Sequence, residues 1–509
     1  MSPFAAVSVN SKRQQPQTQE SQLLKDSLWM TAVGQIERFV GLLVTFALRW
    51  GLSPSDLGVY SGLRLLLDNT NRSSLGVALG AIQKITLLQA KGQSDHARYI
   101  TNVAATSNTL TSTIYGMVLI LWGGRLFINN ELKWGTGLLL VGILAIFKRY
   151  QDFHIAILRS ESQFGIVGRL AIFQSLFFAF GTLFGIYIAG FWGLISALMC
   201  GFVVQSIMLQ KIDPNRSFQM SWDWSILFLL VKTGLPILAA NTAWAMLNTI
   251  DRALILSQMP DGTTQAGYYS IAILATNWCS DIAGRVGLVV YPQYQKLLGN
   301  GIKIHSILVE AEKASLIMLS ILSFLSLWAV FVGNQLLPVL FPKLVTGMAA
   351  FEPMLPGSIA LAATWPLRQA WTALDRSWAL SFLAGIVLIP QYIILKIVAL
   401  NGSLAEIAYT SSQFQIAGAV LLFVMTWYGT SFDKARIRSW TLAILSIVYC
   451  LFASLTIQRN GLFAANLMLD SGHQLLILLI ASIPALIPIY LICKSKIKSN
   501  DHTSETMYP

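Results

Sequence analysis

Apolar residues form fourteen runs along the 509-residue chain, each long enough to cross a bilayer as a helix. A hydrocarbon core about 30 Å thick requires about 20 helical residues. Polar turns separate most of the runs, so the pattern predicts an all-α polytopic membrane protein with about 14 transmembrane helices. The predicted spans are residues 28–49, 57–83, 99–123, 134–157, 165–190, 192–210, 226–257, 266–292, 307–333, 346–372, 378–400, 403–428, 439–457 and 474–493.

Lysine and arginine are unevenly distributed between the two sets of connecting segments. With the N-terminus inside, the cytoplasmic segments contain 20 of them, whereas the external segments contain five. Basic residues collect on the cytoplasmic side of membrane proteins. The distribution therefore predicts a plasma (inner) membrane protein whose two termini are both cytoplasmic. The five external basic residues are Arg49, Arg125, Lys133, Lys343 and Arg459.

Composition agrees with this interpretation. Hydrophobic residues make up 55% of the chain and charged residues 11%, whereas a soluble domain carries about 25% charged residues. The formal net charge of +12 is explained by membrane orientation, so no nucleic-acid partner is expected. The four cysteines lie in apolar runs without CxxC spacing, which indicates neither a disulfide framework nor a metal site.

Thirteen charged residues fall in the interior of the predicted spans. One charge at the bilayer centre costs about 2.5–3.5 kcal/mol, so the set is expected to face other charges or a water-filled cavity. Eight basic residues against five acidic ones predict a surplus of about three positive charges, which suits an anionic ligand. The basic residues are Arg38, Arg64, Arg72, Lys148, Arg149, Arg252, Arg285 and Arg368, and the acidic ones are Glu37, Asp68, Asp152, Asp251 and Asp281.

Their spacing predicts pairs along helix faces. Arg64, Asp68 and Arg72 lie at i, i+4 and i+8, which predicts one stripe on the second span. Asp281 and Arg285 have the same four-residue spacing, with the acid first, and Lys148 and Asp152 also lie at i and i+4. The alternative for any single residue is a structural salt bridge between helices.

The charged spans are the first, second and fourth, and then the seventh, eighth and tenth. This offset of six predicts two six-helix lobes that lend equivalent helices to one cavity. The predicted organisation is a disordered cytoplasmic tail at 1–22, an N-terminal lobe at 23–211, a C-terminal lobe at 223–429, two additional helices at 430–494 and a cytoplasmic tail at 495–509.

Residues 233–294 carry a family pattern. "TGLPILAANTAWAMLNTIDRALI" is followed by "AGYYSIA" and then by "VVYPQY". The order resembles that of the polysaccharide-biosynthesis (Wzx-type, O-antigen or exopolysaccharide repeat-unit) flippases. These belong to the multidrug/oligosaccharidyl-lipid/polysaccharide exporter superfamily, which also contains MATE exporters and the lipid II flippase. The positions that match the pattern are Asp251, Gly267, Tyr268, Tyr269 and Pro292.

The resemblance implies two six-helix lobes that move an undecaprenyl-diphosphate-linked oligosaccharide from the inner to the outer leaflet by alternating access. Expected partners are the lipid-linked anionic glycan, membrane lipids and a glycan polymerase or export machinery. No catalytic residue, metal or cofactor is expected. An ion gradient or the membrane potential is the candidate energy source.

Arginine pairs well with phosphate because its planar guanidinium donates two parallel hydrogen bonds. We therefore expect the arginines to bind the diphosphate and the acids to hold them when substrate is absent. The Asp251-Arg252 pair either caps its helix or acts as a latch at the outer gate. The predicted cavity residues are Arg38, Arg64, Arg72, Arg149, Arg285 and Arg368, and the predicted pairing and gating residues are Glu37, Asp68, Asp152, Asp251, Arg252 and Asp281.

Two other functions stay open. A multidrug exporter of the same superfamily would need surplus acid in its cavity to attract organic cations. A membrane glycan polymerase or ligase usually depends on large outer loops, whereas the longest loop predicted between spans is residues 458–473. An enzyme is therefore not expected.

Overall fold

Helices follow the apolar runs of the chain. The computed structural model describes residues 16–90, 93–161, 163–212, 219–299, 301–428, 436–437 and 440–441. In these residues the regular structure is helical, without strands, and includes two 3-10 turns at Thr70–Ser74 and Pro342–Gly347. The helices are α1 (Pro16–Gly51), α2 (Pro54–Asn69), α3 (Val77–Ala90), α4 (Ser94–Ile128), α5 (Leu132–Ser160), α6 (Phe164–Ile212), α7 (Trp224–Met246), α8 (Ile250–Gln258), α9 (Gly262–Gly299), α10 (Ile304–Leu340), α11 (Met348–Ala363), α12 (Trp365–Ala373), α13 (Ser377–Asn401) and α14 (Leu404–Trp427).

The first twelve predicted spans fall on these helices, and the all-α membrane fold class is confirmed. Helix α6 contains spans five and six, which meet at a kink at Ala189 and Gly190. The predicted spans 439–457 and 474–493 lie outside the described residues, as does the tail at 495–509. Helix α1 begins at Pro16, inside the segment predicted to be a disordered tail, because proline suits a first helical turn and Gln, Glu and Leu favour helix.

Seven helical stretches of the described chain are long and apolar enough to cross a membrane by length and composition alone. They correspond to predicted spans three, five to seven and nine to twelve, with spans five and six together in α6. Spans one, two, four and eight do not reach that hydropathy or length. These four are among the spans for which interior charges were predicted, so the same charges lower their hydropathy and mark them as functional candidates.

Three predicted spans are broken. The second consists of α2, the turn Thr70–Ser74 and α3, and the chain between the turn and α3 passes through positive φ at Leu75 and Gly76. The seventh divides into α7 and α8, and the tenth into α11 and α12 at Thr364. Broken backbone is tolerated at membrane depth where protein surrounds it or where it lines a cavity.

Glycines bring the two halves of the chain together. Helix α2 packs against α9, and α3 packs against α7. A Cβ atom at Gly58 would overlap the carbonyl oxygen of Thr263, and one at Gly267 would overlap that of Pro54. A second close contact joins Gly76 to Gly234. Backbone can approach backbone this closely only where a side chain is absent.

We expect Gly58→Ala to open the contact between α2 and α9. Overpacking of a tight contact costs about 1–3 kcal/mol, which corresponds to about 5- to 150-fold in the equilibrium between closed and open. The measurement is the labelling rate of Leu57→Cys by a membrane-impermeant maleimide, in a background without the native cysteines, because Leu57 is buried in the closed contact. Gly385→Ala is the matched control, since its Cβ meets open space. Equal labelling rates in the two variants would contradict the prediction.

Candidate functional site

A cavity of about 290 Å³ lies inside the N-terminal half, between α1, α2, α5 and α6. Two ion pairs line it. On α2, Nε of Arg64 lies 3.1 Å from Oδ2 of Asp68, and on α5, Nζ of Lys148 lies 3.0 Å from Oδ2 of Asp152. Both pairs have the i, i+4 spacing seen in the sequence, which places each pair on one helix face.

The two pairs are open to the cavity. The side chains of Arg64 and Asp68 are 47% and 51% exposed, and those of Lys148 and Asp152 are 19% and 39% exposed. Ion pairs with this much access contribute little stability, on the order of 0–1 kcal/mol. Their charges are therefore available to a ligand at small energetic cost to the fold.

Helix α6 forms the remaining wall. Its chain reverses at Gly190, where φ is +55°, and the two limbs approach through backbone contact between Gly185 and Gly193. This reversal brings Gln205 beside Gln174, and Nε2 of Gln205 donates to Oε1 of Gln174 at 2.6 Å. The aromatic residues of this wall are Phe173, Phe177, Phe178 and Phe202.

The charge balance of this cavity differs from the prediction. Three acids, Glu37, Asp68 and Asp152, line it together with two basic residues, Arg64 and Lys148. The predicted surplus of positive charge is therefore absent from this cavity. The interior count was also incomplete, because three further carboxylates and one lysine lie within predicted spans nine and ten. The carboxylates are Glu310, Glu312 and Glu352, and together with Lys313 they reduce the surplus from about three positive charges to about one.

Arg149 was predicted to line the cavity and lies elsewhere. It is 3% exposed; Nη1 donates to Oδ1 of Asn71 at 3.1 Å and Nη2 donates to Oδ1 of Asn108. Nδ2 of Asn108 in turn donates to the carbonyl oxygen of Arg149. The residue thus joins α5 to α4 and to the turn after α2, where neutral amides rather than carboxylates receive its hydrogen bonds.

The predicted stripe on the second span is wrong at its third residue. Helix α2 ends at Asn69, so Arg72 belongs to the 3-10 turn that follows. A 3-10 helix has about three residues per turn, which rotates position i+8 away from the face of Arg64 and Asp68. Arg38 also stands apart from the cavity, and its Nη1 donates to Oε1 of Gln35 on α1 at 3.3 Å.

Asp251 is buried at the start of α8. Its Oδ2 accepts a hydrogen bond of 2.6 Å from the Tyr269 hydroxyl, and its Oδ1 accepts one of 2.8 Å from the backbone N–H of Arg252. Nη2 of Arg252 donates to the carbonyl oxygen of Asn248. These contacts stay within the C-terminal half, so they support the capping interpretation of the pair. The hydrogen bond between Asp251 and Tyr269 also joins α8 to α9, so these two positions of the family pattern have a shared structural role.

The remaining predicted residues lie in the C-terminal half. Asp281 and Arg285 are on α9, and Asp281 is exposed. The guanidinium carbon of Arg368, on α12, lies 5.0 Å from the ring centroid of Trp244 and 4.5 Å from that of Trp365. Two aromatic faces stabilise a cation without neutralising it. Arg368 is not among the residues that line the N-terminal cavity.

Arg49 was assigned to an external loop and is instead buried between the halves. It lies near the end of α1, and its Nη2 donates to the carbonyl oxygen of Ser270 on α9 at 2.7 Å. The adjacent rings of Phe46 and Phe341 stack with centroids 5.4 Å apart, and Nζ of Lys343 donates to the carbonyl oxygen of Trp50. The sequence signal that could have identified Arg49 was its position at the end of a span that carries interior charges.

A buried ion pair was also missed. Glu312 and Arg436 are 1% and 4% exposed, with Oε2 and Nη2 2.5 Å apart. The indole N–H groups of Trp427 and Trp440 donate to Oε1 of Glu312 as well. No local spacing connects α10 with residue 436, so the sequence offered no signal for this contact. In the described part of the chain, no group of three His, Cys, Asp or Glu residues is placed to hold a metal ion.

The described chain combines a helical architecture with an internal polar cavity, and comparison with solved structures shows where the same fold occurs. The lipid II flippase MurJ in an inward closed conformation superposes with a TM-score of 0.63 at 14% identity, covering 94% of this chain and 100% of that chain. The chain therefore has the fold of the lipid II flippase.

Multidrug transporters share this fold. An inward-facing MATE family transporter of the MOP superfamily superposes with a TM-score of 0.58 at 13% identity, covering 76% of this chain and 93% of that chain. A variant of the Vibrio cholerae MATE transporter VcmN gives a TM-score of 0.58 at 13% identity and covers 81% and 97% of the two chains. No family model and no curated protein sequence matches the chain.

Proposed function

We propose that this protein flips a lipid-linked oligosaccharide, carried on undecaprenyl diphosphate, from the inner to the outer leaflet by alternating access. The observation that carries the proposal is the extent of the likeness to the lipid II flippase, which covers 94% of this chain and all of the other. The superpositions with the two MATE transporters described above cover 76% and 81% of this chain. The resemblance of residues 233–294 to the Wzx-type pattern supports the same function.

The cavity supports this function through its position and openness. It lies within helices predicted to cross the membrane, where charged groups are costly and are retained chiefly for function. A flippase needs a polar chamber only for the head of its substrate, since the lipid tail can remain in the bilayer. The half-exposed pairs at Arg64 and Lys148 provide such a chamber.

Arg64 is the residue we assign to the diphosphate. Arg64 lines the N-terminal cavity, whereas Arg38, Arg72, Arg149 and Arg368 are not among its lining residues. Asp68 holds its Nε when no substrate is present, and exchange of this partner for a phosphate preserves the ionic hydrogen bonding of the guanidinium. We assign Arg285, also in the second helix of its half by the predicted repeat, to a later stage of the same path.

A multidrug exporter is the second candidate, and the charge of the cavity favours it. Three acids against two basic residues give the net negative charge that suits an organic cation. The same fold occurs in MATE transporters. The two candidates differ in the sign of the transported head group, so one variant can separate them.

Orientation, energy source and partners belong to the proposal. The Lys and Arg distribution supports an inner-membrane protein with cytoplasmic termini. Inward-to-outward movement of a charged head group would be coupled to an ion gradient or to the membrane potential. A glycan polymerase or export machinery would receive the product at the outer face.

We expect Arg64→Ala to lower flipping at least tenfold, because a diphosphate loses a charge-assisted fork worth about 1.5–3 kcal/mol. Arg64→Lys should retain part of the activity, since it keeps the charge and loses the planar fork. The measurement is transfer of undecaprenyl-diphospho-N-acetylglucosamine across proteoliposome membranes, with Arg159→Ala, exposed at the end of α5, as the control.

Lipid analysis of a deletion strain complements this assay by identifying which undecaprenyl-linked intermediate accumulates inside. Unchanged glycan transfer by Arg64→Ala, or by a variant with Arg38, Arg64, Arg72, Arg149 and Arg285 all replaced by Gln, would contradict the flippase. Export of ethidium by the wild type, lost in Asp68→Asn, would instead identify the multidrug exporter.

A further inference from the structure

Gln205 leaves a polar atom without a partner at the wall of the N-terminal cavity. The residue is 2% exposed, and its Nε2 donates to Gln174. Its Oε1 is buried and accepts no hydrogen bond from the described protein atoms. A buried acceptor without a donor costs about 1–3 kcal/mol. A hydroxyl donor in the cavity would remove that cost.

Aromatic rings stand beside this amide. Phe173 and Phe177 are one helical turn apart on α6 and stack with ring centroids 5.8 Å apart. Phe178 and Phe202 line the same cavity. Aromatic faces offer apolar contact to the C–H face of a flat ring, while adjacent amides and carboxylates can bind the hydroxyl groups at its edge.

The ion pairs add hydrogen-bonding groups with little net charge. Arg64 with Asp68 and Lys148 with Asp152 are neutral as pairs, and each pair offers both donors and acceptors. Glu37 adds one further acid. A wall of this kind matches a polyhydroxylated neutral ring better than a second phosphate, which would require surplus cations.

We propose that the N-terminal cavity is a sugar subsite that binds a hexose ring of the glycan next to the diphosphate, with α6 as its recognition wall. This inference rests on the proposed function and deepens it. Phe177 packs against the ring face, and Gln205 and Gln174 bind its hydroxyl groups. The volume of about 290 Å³ is at the lower end of ligand sites, which suits one or two sugar rings.

The test measures what the sugar adds to lipid binding. Purified full-length protein in detergent is titrated, by native mass spectrometry, with undecaprenyl diphosphate and with the same lipid carrying glucose, galactose or N-acetylglucosamine. We expect at least one glycosylated lipid to bind the wild type about tenfold tighter than the bare lipid, which corresponds to one or two satisfied hydrogen bonds.

Two variants test whether residues of α6 provide the additional affinity for the glycosylated lipid. Phe177→Ala and Gln205→Met should each reduce the sugar increment about fivefold or more, because they remove the stacking face and the amide, while affinity for the bare lipid stays unchanged. Phe180→Ala is the matched control, since Phe180 lies on the same helix, is 70% exposed and is not part of the cavity wall.

The outcomes test the subsite and the flippase separately, except that a complete failure to bind overturns both. Equal affinity of the wild type for bare and glycosylated lipids overturns the subsite and leaves the flippase intact. An increment that survives both α6 variants also overturns it. If the wild type does not bind the bare lipid, titration with the methyl glycosides of the three sugars decides: binding that Phe177→Ala weakens supports the subsite and overturns the flippase, and no binding overturns both.

Discussion

Glu312→Ala should be the most destabilising single substitution among those described. It leaves the Arg436 guanidinium, 4% exposed, without its carboxylate, and it removes the acceptor of Trp427 and Trp440. Removal of one partner from a buried pair costs about 3–5 kcal/mol. We expect the midpoint of thermal unfolding in detergent to fall by about 3–5 °C, with reduced yield from the membrane.

A double-variant cycle tests the mechanism of this loss. Glu312→Leu combined with Arg436→Leu removes both charges, so no charge stays buried without a partner, and the double variant should be more stable than either single variant. Simple additivity of the two single effects would show that the ion pair is not the source of the loss. The matched single control is Ser326→Ala on α10, which removes one local hydrogen bond.

Arg49→Ala should lower the proposed transport of the lipid-linked glycan more than tenfold while the protein still folds. Arg49 is the buried cation that crosses from α1 to the Ser270 carbonyl on α9. A hydrogen bond from a charged group contributes about 1.5–3 kcal/mol, so its loss shifts the equilibrium between joined and separated halves by about 10- to 150-fold. Alternating access requires both arrangements to be populated.

The measurement pairs the transport rate with the labelling rate of Leu57→Cys by an impermeant maleimide. We expect slower transport and faster labelling, because the contact at this end of the bundle is open for longer. Lys133→Ala is the control. Its side chain is 47% exposed and pairs with Asp56 at 2.5 Å within the same half, so it should change either rate less than about threefold. Slow transport with unchanged labelling would assign Arg49 to substrate contact instead.

The spans were predictable because a membrane imposes one strong rule on the sequence. About 20 apolar residues are needed for each crossing, and the twelve runs between residues 28 and 428 all became helix. The interruptions at Thr70–Ser74 and Thr364 were not predicted. Breaks of this kind depend on which neighbours satisfy the freed backbone groups, and those neighbours are distant in sequence.

The candidate site was predictable where it depends on local spacing. Arg64 with Asp68 and Lys148 with Asp152 pair within single helices, so the four-residue interval was sufficient. The proposed recognition wall on α6 was not predicted from the sequence, because Gln174 and Gln205 become neighbours only when Gly190 reverses the chain. Arg149 was predicted to line the cavity because it is charged. The structure shows instead that it is buried and donates its hydrogen bonds to neutral amides.

The sequence by itself determined the environment of this protein, the positions of its membrane helices and the helices that carry charge. These properties follow from hydropathy and from periodicity within one helix. Only the tertiary structure decided which charges meet. It placed Arg49 against α9, Glu312 against Arg436 and Arg368 between two tryptophans. Such contacts join residues far apart in the chain, and their energy depends on burial and geometry that only the packing of helices creates.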